Sequence, residues 1–400
     1  MAETSTATEA GQESSLREGL EAAIRERVRE IIEMVLEEEV EGALGAGRSQ
    51  RVAERCGYRH GGKPRRLMLR TGAVSLRVPR GRLITPEGGE REWHSQLVPR
   101  YRRSSREVEQ SVLGVYLSGS NTRRIRGALE TLLSGAALSK SAVSRLVTRL
   151  EESYRLWQRR DLAAEKIVYL YLDAIYPKVR SAGRVVSLAV LVALGVKDTG
   201  EKVLLSLMSA GAESSDGWQM LLEDLAARKM GRPRLVISDG NAGLGAALDR
   251  LWPGVAHQRC TVHKLRNLMA KSPKHAHEAV REDYHRIVYA ETQHAAQQAH
   301  AAFLLKWKKL CPTVAASLEE AGEQLLTFYQ FTVSQHLSLR TTNIIERLQQ
   351  EFRRRVKTQA ALPNEGAVLR VFFGLWVSGQ MKLHRINGYR DLGGKEEATA

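Results

Sequence analysis

The sequence predicts an α/β fold: a mixed sheet in the order βββαβαβ, carrying a helical insertion and preceded by a mainly α region. Three observations predict it. Residues 167–210 hold three runs of strong β-formers separated by short turns. Residues 214–263 alternate helical and strand patterns. Residues 264–335 are helix-rich, with no convincing strand run. At 400 residues the chain exceeds one ordinary domain. Its pattern changes divide it into a helix and basic arm (1–90), a helix-turn-helix region (91–160), the first part of the core (161–263), a helical insertion (264–338), and closing helices with a tail (339–400).

Composition narrows the class. A hydrophobic content of 43% is enough for a core, which excludes wholesale disorder. The longest apolar run, 185–196, is interrupted by Ser187 and falls short of the roughly 18 residues of a membrane span. The opening MAETSTATEAGQESS lacks a basic-then-apolar leader. These features predict a soluble cytoplasmic protein with no membrane partner. Cys56, Cys260 and Cys311 are odd in number and far apart, which argues against a disulfide framework. The net charge is +16, yet residues 1–45 hold twelve acids and only four arginines. The rest of the chain is therefore strongly basic, the footprint of a polyanion such as nucleic acid.

The elements follow in order. Residues 16–44 place Leu20, Ile24, Val28, Ile31, Ile32, Val35 and Leu36 at helical steps. Residues 46–82 carry eleven Lys or Arg against the single acid Glu54. An alternating stretch at 74–80 leaves residues 46–90 open between a small β-element and an arm that tracks DNA. At 99–107, Arg100, Arg102 and Arg103 surround Tyr101. Guanidinium forks suit phosphate oxygens. Residues 107–150 read as helix, turn, helix, with a middle helix over 122–133. The last helix starts after Ser139 and buries Val143, Leu146, Val147 and Leu150. Lys140, Ser141, Ser144, Arg145 and Arg149 form its other face, as on a recognition helix; the alternative is a plain three-helix bundle.

In the core, 167–180, 184–200 and 202–210 read as an antiparallel meander. A helix at 214–229, a strand at 232–240, a helix at 241–252 and a strand at 256–263 follow. That order is the layout of a ribonuclease-H-like sheet. Asp173 lies within an apolar strand, where an unpaired carboxylate is costly. Asp239 ends a strand, and strand carboxyl ends are where α/β sheets place ligands. Glu346 lies on the helix after the insertion. Together they form a hard oxygen set for two Mg²⁺ or Mn²⁺ ions. Such ions, about 4 Å apart, activate the attacking oxygen and stabilise the leaving one in phosphoryl displacement. Each acid has a structural alternative: an ion pair of Asp173 with Lys178 or Arg180, a helix cap at Asp239, and a capping box of Glu346 with Asn343.

YLYLDAIYPKVR, LVISDGNAGLGAAL, QRCTVHKLRNL and RTTNIIERLQQEFRRR together resemble the mutator-type transposases of bacterial insertion sequences. The likeness runs from about residue 20 to 378 and departs at Asn241 and Ile344. It implies a DDE triad of Asp173, Asp239 and Glu346, with cleavage and strand transfer at terminal inverted repeats. It also implies a copy-out circular intermediate, a bacterial nucleoid setting and at least a dimer on DNA. Its Cys-x-x-His pair is Cys260 and His263, here read, with Asn343, as support for the site. Cys260 and His263 are also half of a zinc pattern, but no second thiol lies nearby. Arg347, Arg353, Arg354 and Arg355 are further expected DNA contacts. The alternative function is an inactive or domesticated DNA-binding regulator.

Overall fold

The computed structural model describes residues 3–53, 55–117, 140–181, 183–211, 214–356, 361–379, 381 and 383–393, with side chains from residue 19 onward except at 140, 141, 355 and 356. The chain forms two compact units, Met1–Thr148 and Arg149–Ala400. The middle helix expected at 122–133 lies outside the described residues, as does Ser139.

In the first unit, helix α1 (Glu3–Leu44) is followed by strands β1 (Gly57–Leu69), β2 (Gly72–Ile84) and β3 (Glu90–Glu92). These form an antiparallel sheet in the order β1-β2-β3. The segment left open by the sequence is thus a β-hairpin sheet. Its alternation has a purpose: Val74, Leu76 and Val78 face inward with Leu67, and Leu36 of α1 closes the cluster. The acids of α1 answer the arginines of the sheet. Arg59 pairs with Glu37 and Glu41, and Glu33 accepts the Arg77 main-chain N–H at 2.7 Å. Arg65 donates to the carbonyls of Val98, Pro99 and Arg102. Helix α2 (Arg106–Leu117) buries Val108 and Val112. Helix α3 (Lys140–Gln158) begins in this unit and ends in the second; along it Val143 and Leu150 are buried, whereas Leu146 and Val147 are only half-buried.

The second unit is built on a five-stranded mixed sheet. Its strands are β4 (Ile167–Ile175), β7 (Ala189–Lys197), β8 (Lys202–Ala210), β9 (Leu235–Ser238) and β10 (Ala256–Arg259), in the spatial order β10-β9-β4-β7-β8. Strand β4 is antiparallel to β7 and parallel to β9, which is parallel to β10. The meander β4-β7-β8 agrees with the sequence reading, but two of its runs are divided. Pro177 has no N–H to continue the ladder, so the first strand stops at Ile175. The chain then forms a separate hairpin of β5 (Lys178–Ser181) and β6 (Arg184–Ser187), turning at Gly183 with φ +78°. The run expected at 256–263 also divides. Its strand ends at Arg259, and Thr261 begins helix α6 (Thr261–Lys271).

Helices α4 (Ser215–Ala227) and α5 (Ala242–Leu251) cover one face of the sheet. Each has a side-chain cap: Ser214 accepts from the Gly217 N–H, and Asn241 from those of Gly243 and Leu244. Leu170 and Leu172 of β4 point into this layer with Trp218, Leu221, Leu225 and Val236. The odd residues of β4 point the other way. Tyr169 donates to Gln335 Oε1 at 2.7 Å and Tyr171 to the Ser338 carbonyl at 3.0 Å. On that second face α10 (Val333–Leu339) and α11 (Asn343–Val356) meet β4, and α12 (Glu365–Val377) packs on β8, whereas α7 (His277–Val288), α8 (Gln293–Leu310) and α9 (Pro312–Ala321) build a separate apolar cluster around Tyr284, Phe303 and Trp307. Segment 264–338 contains no strand among its described residues. No helix of the described residues is long and apolar enough to cross a membrane.

Leu221 has no exposed surface and sits at the centre of the first layer. Its replacement by Ala is expected to cost about 2–5 kcal/mol. Met220, one position earlier, is 60% exposed, and Met220→Ala is expected to stay within about 0.5 kcal/mol. Thermal or urea denaturation of the two variants checks the assignment of this face.

Candidate active site

Two strand ends set the site. The parallel register of β4 and β9 pairs Tyr169 with Leu235, Leu170 with Val236 and Tyr171 with Ile237. Continued by two residues, the same offset puts Asp173 level with Asp239. Asp173 lies two residues before the carboxyl end of β4, and Asp239 directly follows β9, its neighbour in the sheet. Asp173 shares the face of Tyr169 and Tyr171, beneath α10 and α11. It is 5% exposed; one carboxylate oxygen accepts the Ala174 N–H at 2.8 Å, and the other meets the Gln349 amide at 3.5 Å. Gln349 also donates to the Ala174 carbonyl at 3.3 Å. Helix α11 is thereby fixed over the end of β4.

Asp239 begins the turn between β9 and α5, and its Oδ1 accepts the Asn241 N–H at 3.2 Å. The cap of α5 is Asn241, not Asp239, so the capping alternative for the aspartate falls to its neighbour. Gly240 takes φ +90°, a conformation that disfavours side chains. A Cβ there would lie 2.0 Å from Nε of Arg259. That guanidinium is buried, donating to the Gly240 carbonyl at 3.2 Å and to Glu320 at 2.7 Å.

Glu346, in the first turn of α11, is one helical turn before Gln349 and so on the same face. Its carboxylate accepts from Arg266 at 2.7 Å and lies 3.5 Å from Nε2 of His263. The first-turn amides of α11 go to the Thr342 carbonyl, and Asn343 is exposed. Among the described residues, no group of three His, Cys, Asp or Glu side chains is disposed to hold a metal ion. In kind, two aspartates at adjacent strand ends and a glutamate above them suit a hard divalent cation. In position, the glutamate faces Arg266 and His263.

Cys260 and His263 sit at the entry of α6 rather than on a strand. Thr342 connects them to the start of α11: its N–H donates to Cys260 Sγ at 3.3 Å, and its hydroxyl is 3.4 Å from His263 Nδ1. Burial pushes the Cys260 thiol up, but hydrogen bonds from His263 and Thr342 outweigh it and hold the thiol below its ordinary value. His263 is pushed up to about 9, first by its hydrogen bond with Cys260, then by the negative charges of Cys260, Asp173 and Asp239, against the opposing effect of burial. One imidazolium thus faces both aspartates and the glutamate. Arg266, Thr342 and Gln349 complete this arrangement, and the sequence reading missed all three. Two carried a signal: Arg266 is three residues from His263 and Gln349 three from Glu346, each on the face of its helix that a named residue already occupied.

The expected DNA contacts divide by accessibility. Arg100, Arg103, Ser144, Arg145, Arg149, Arg347, Arg353 and Arg354 are exposed, and Arg102 is half-buried. Arg100 lies over the ring of Tyr101, 5.2 Å from its centroid. Arg354 pairs with Glu351 at 2.7 Å. The side chains of Lys140, Ser141 and Arg355 lie outside the described residues.

A family model described as the Mutator family of transposases matches residues 1–382. The chain is 37% identical to the transposase for insertion sequence element ISRM5 of Rhizobium meliloti, over 92% of this chain and 90% of that one. It is 32% identical to the transposase for IS406 of Burkholderia multivorans, over 94% and 97% of the two chains. It is also 32% identical to the transposase for IS256 in transposon Tn4001 of Staphylococcus aureus, over 83% and 85%.

Unfolded histidine titrates near 6.5. The folded value of His263 is higher, so its stabilising contribution is complete below about 6.5 and fades as pH rises through about 9. Cys260→Ser removes the largest cause. Histidine proton NMR is expected to show His263 titrating near 9 in the native chain and closer to 6.5 in the variant.

Proposed function

The chain belongs to the Mutator family of transposases, and from that premise we propose that it acts on the ends of its own insertion sequence as a DDE-type enzyme of ribonuclease-H-like fold. It would bind the terminal inverted repeats, cut a strand and join the freed 3′-hydroxyl to another phosphodiester. The observation that supports this reading is the parallel pairing of β4, which carries Asp173 near its end, with β9, which Asp239 follows, and the contact of Asp173 with Gln349 on the helix bearing Glu346. The strand order β10-β9-β4-β7-β8, with its parallel and antiparallel pairs, supports the same reading.

Asp173, Asp239 and Glu346 would hold two Mg²⁺ or Mn²⁺ ions, which would supply activation of the attacking oxygen and stabilisation of the leaving one. To join the set, Glu346 would exchange its hydrogen bond from Arg266 for a metal ion. Gln349 keeps the Asp173 carboxylate oriented, and the buried Arg259 holds the Asp239–Gly240 turn. His263 and Arg266 bring positive charge to the point where a phosphodiester would enter. Arg347 and Arg353 extend that charge along α11 and suit backbone phosphates. Arg145 and Ser144 on α3 are the residues assigned to base edges, with Lys140, Ser141 and Arg149 beside them. Two ends must be joined, so a dimer or larger assembly forms on DNA. The route runs through copying-out and a circular intermediate, as the family resemblance implies.

Asp173→Asn, Asp239→Asn and Glu346→Gln are each expected to retain binding to end DNA. Mg²⁺-dependent nicking should fall by more than the roughly 10–100-fold that supporting residues cost. Nicking that survives in all three variants overturns the triad. Arg353→Ala is expected to weaken binding alike for all sequences and to reduce the salt slope by about 1. Arg145→Ala is expected to relax preference for the end sequence, measured by competition between end and unrelated duplexes.

A further inference from the structure

A cavity of about 480 Å³ opens where β4 ends, lined by Tyr176, Lys178, Gln349, Phe352, Arg353 and Leu362 among others. Its size is that of an ordinary small-ligand site. Its place is specific. Ile175 and Tyr176 follow Asp173 by two and three residues, roughly 7–10 Å along an extended chain. Gln349 belongs to both sites: it lines the cavity and donates to Asp173.

The walls are firm. Leu362 is clamped to β5 by two main-chain bonds, donating to the Lys178 carbonyl at 2.9 Å and accepting the Arg180 N–H at 2.9 Å. Phe352 is stacked on Phe372 with ring centroids 3.7 Å apart, so the base of the cavity is packed from behind. The chemistry has two parts. Ile175, Phe352 and Leu362 make an apolar floor, and Lys178 and Arg353 make a cationic rim. Tyr176, 51% exposed, is the aromatic ring of the lining that reaches solvent.

Paired DNA has no use for such a recess. It presents phosphates and sugars outward, and its bases only as groove edges. An unpaired nucleotide matches both parts, with apolar faces for an aromatic ring and a phosphate for the rim. We propose that this cavity receives an unpaired nucleotide next to the cleaved bond, stacked on Tyr176, with Lys178 and Arg353 holding its backbone. This inference rests on the reading of Asp173 as part of a DNA-cleaving centre and adds the form of the substrate.

The test compares a forked DNA duplex, whose unpaired arm carries 2-aminopurine, with the same duplex fully paired. Binding is measured in Ca²⁺, and nicking of both duplexes separately in Mg²⁺. The wild-type chain is expected to bind the fork about tenfold more tightly and to quench the unpaired base. Tyr176→Ala is expected to lose both the preference and the quenching, with an unchanged melting temperature. Tyr176→Phe is expected to keep them. Equal affinity of the wild-type chain for the two duplexes overturns the proposal, as does a fork preference that Tyr176→Ala leaves intact. Nicking without fork preference sinks this inference alone. Fork preference without nicking sinks the catalytic reading and leaves the nucleotide site standing.

Discussion

The second unit depends on a single constraint: the parallel pairing of β4 with β9. Parallel strands cannot be joined by a tight turn, so the chain must cross over, and α4 with its preceding meander supplies the crossover. The pairing of Tyr171 with Ile237 fixes which face each residue of β4 takes. A slip of one residue would turn Asp173 into the apolar layer of Trp218 and Leu221 and bring Leu172 to the site face. The apolar demand of Leu170 and Leu172 on one face therefore determines where the carboxylate points on the other.

The helices after the sheet act as a brace for that arrangement. Lys264, with a side chain only 2% exposed, donates to the Ser317 carbonyl and to Glu320. Arg259 meets the same glutamate. Buried cations of this kind need such partners, because an unpaired charge costs several kcal/mol. Tyr284 donates to the Thr261 carbonyl, and Thr261 donates through both N–H and hydroxyl to the Arg340 carbonyl. Thus α6 is held from α7 and α9, while the chain that enters α11 is held by α6. His263 and Glu346, 83 positions apart, meet because this packing joins the two helix starts.

Much of this was legible in the sequence. The meander, the two capped helices and the helical segment follow from residue periods, and Asp173 stands out as a carboxylate within an apolar strand and Asp239 as one at a strand end. What escaped has physical causes. β-formers run almost without pause through Tyr176 and again through Leu188, so only the missing N–H of Pro177 marked a break. Cys260 follows a strand so closely that its role at a helix start is invisible to a period-two pattern. The partners of Glu346 were hidden because Arg266 is 80 residues away, and sequence distance carries no information about a contact made by tertiary packing. The helix start at α11 offered a capping box on paper, yet the tertiary partners took the carboxylate.

The basic surplus shows how far composition can be read as an interface. In the segment densest in Lys and Arg, Arg59 is spent on the glutamates of α1 and Arg65 on three main-chain carbonyls. These groups hold the first unit together, and their guanidinium forks are directed into it. Arg100, Arg103 and Arg145 in that unit stand exposed. In the second unit the same division holds: Arg228 is buried against Asp224 and the Leu205 carbonyl, and Arg259 against Glu320, while Arg347 and Arg353 are exposed. Exposed charge is screened beyond a Debye length of about 8 Å in physiological salt, so each exposed arginine acts on what touches it. The position of each guanidinium therefore decides whether its charge is used within the fold or presented to solvent.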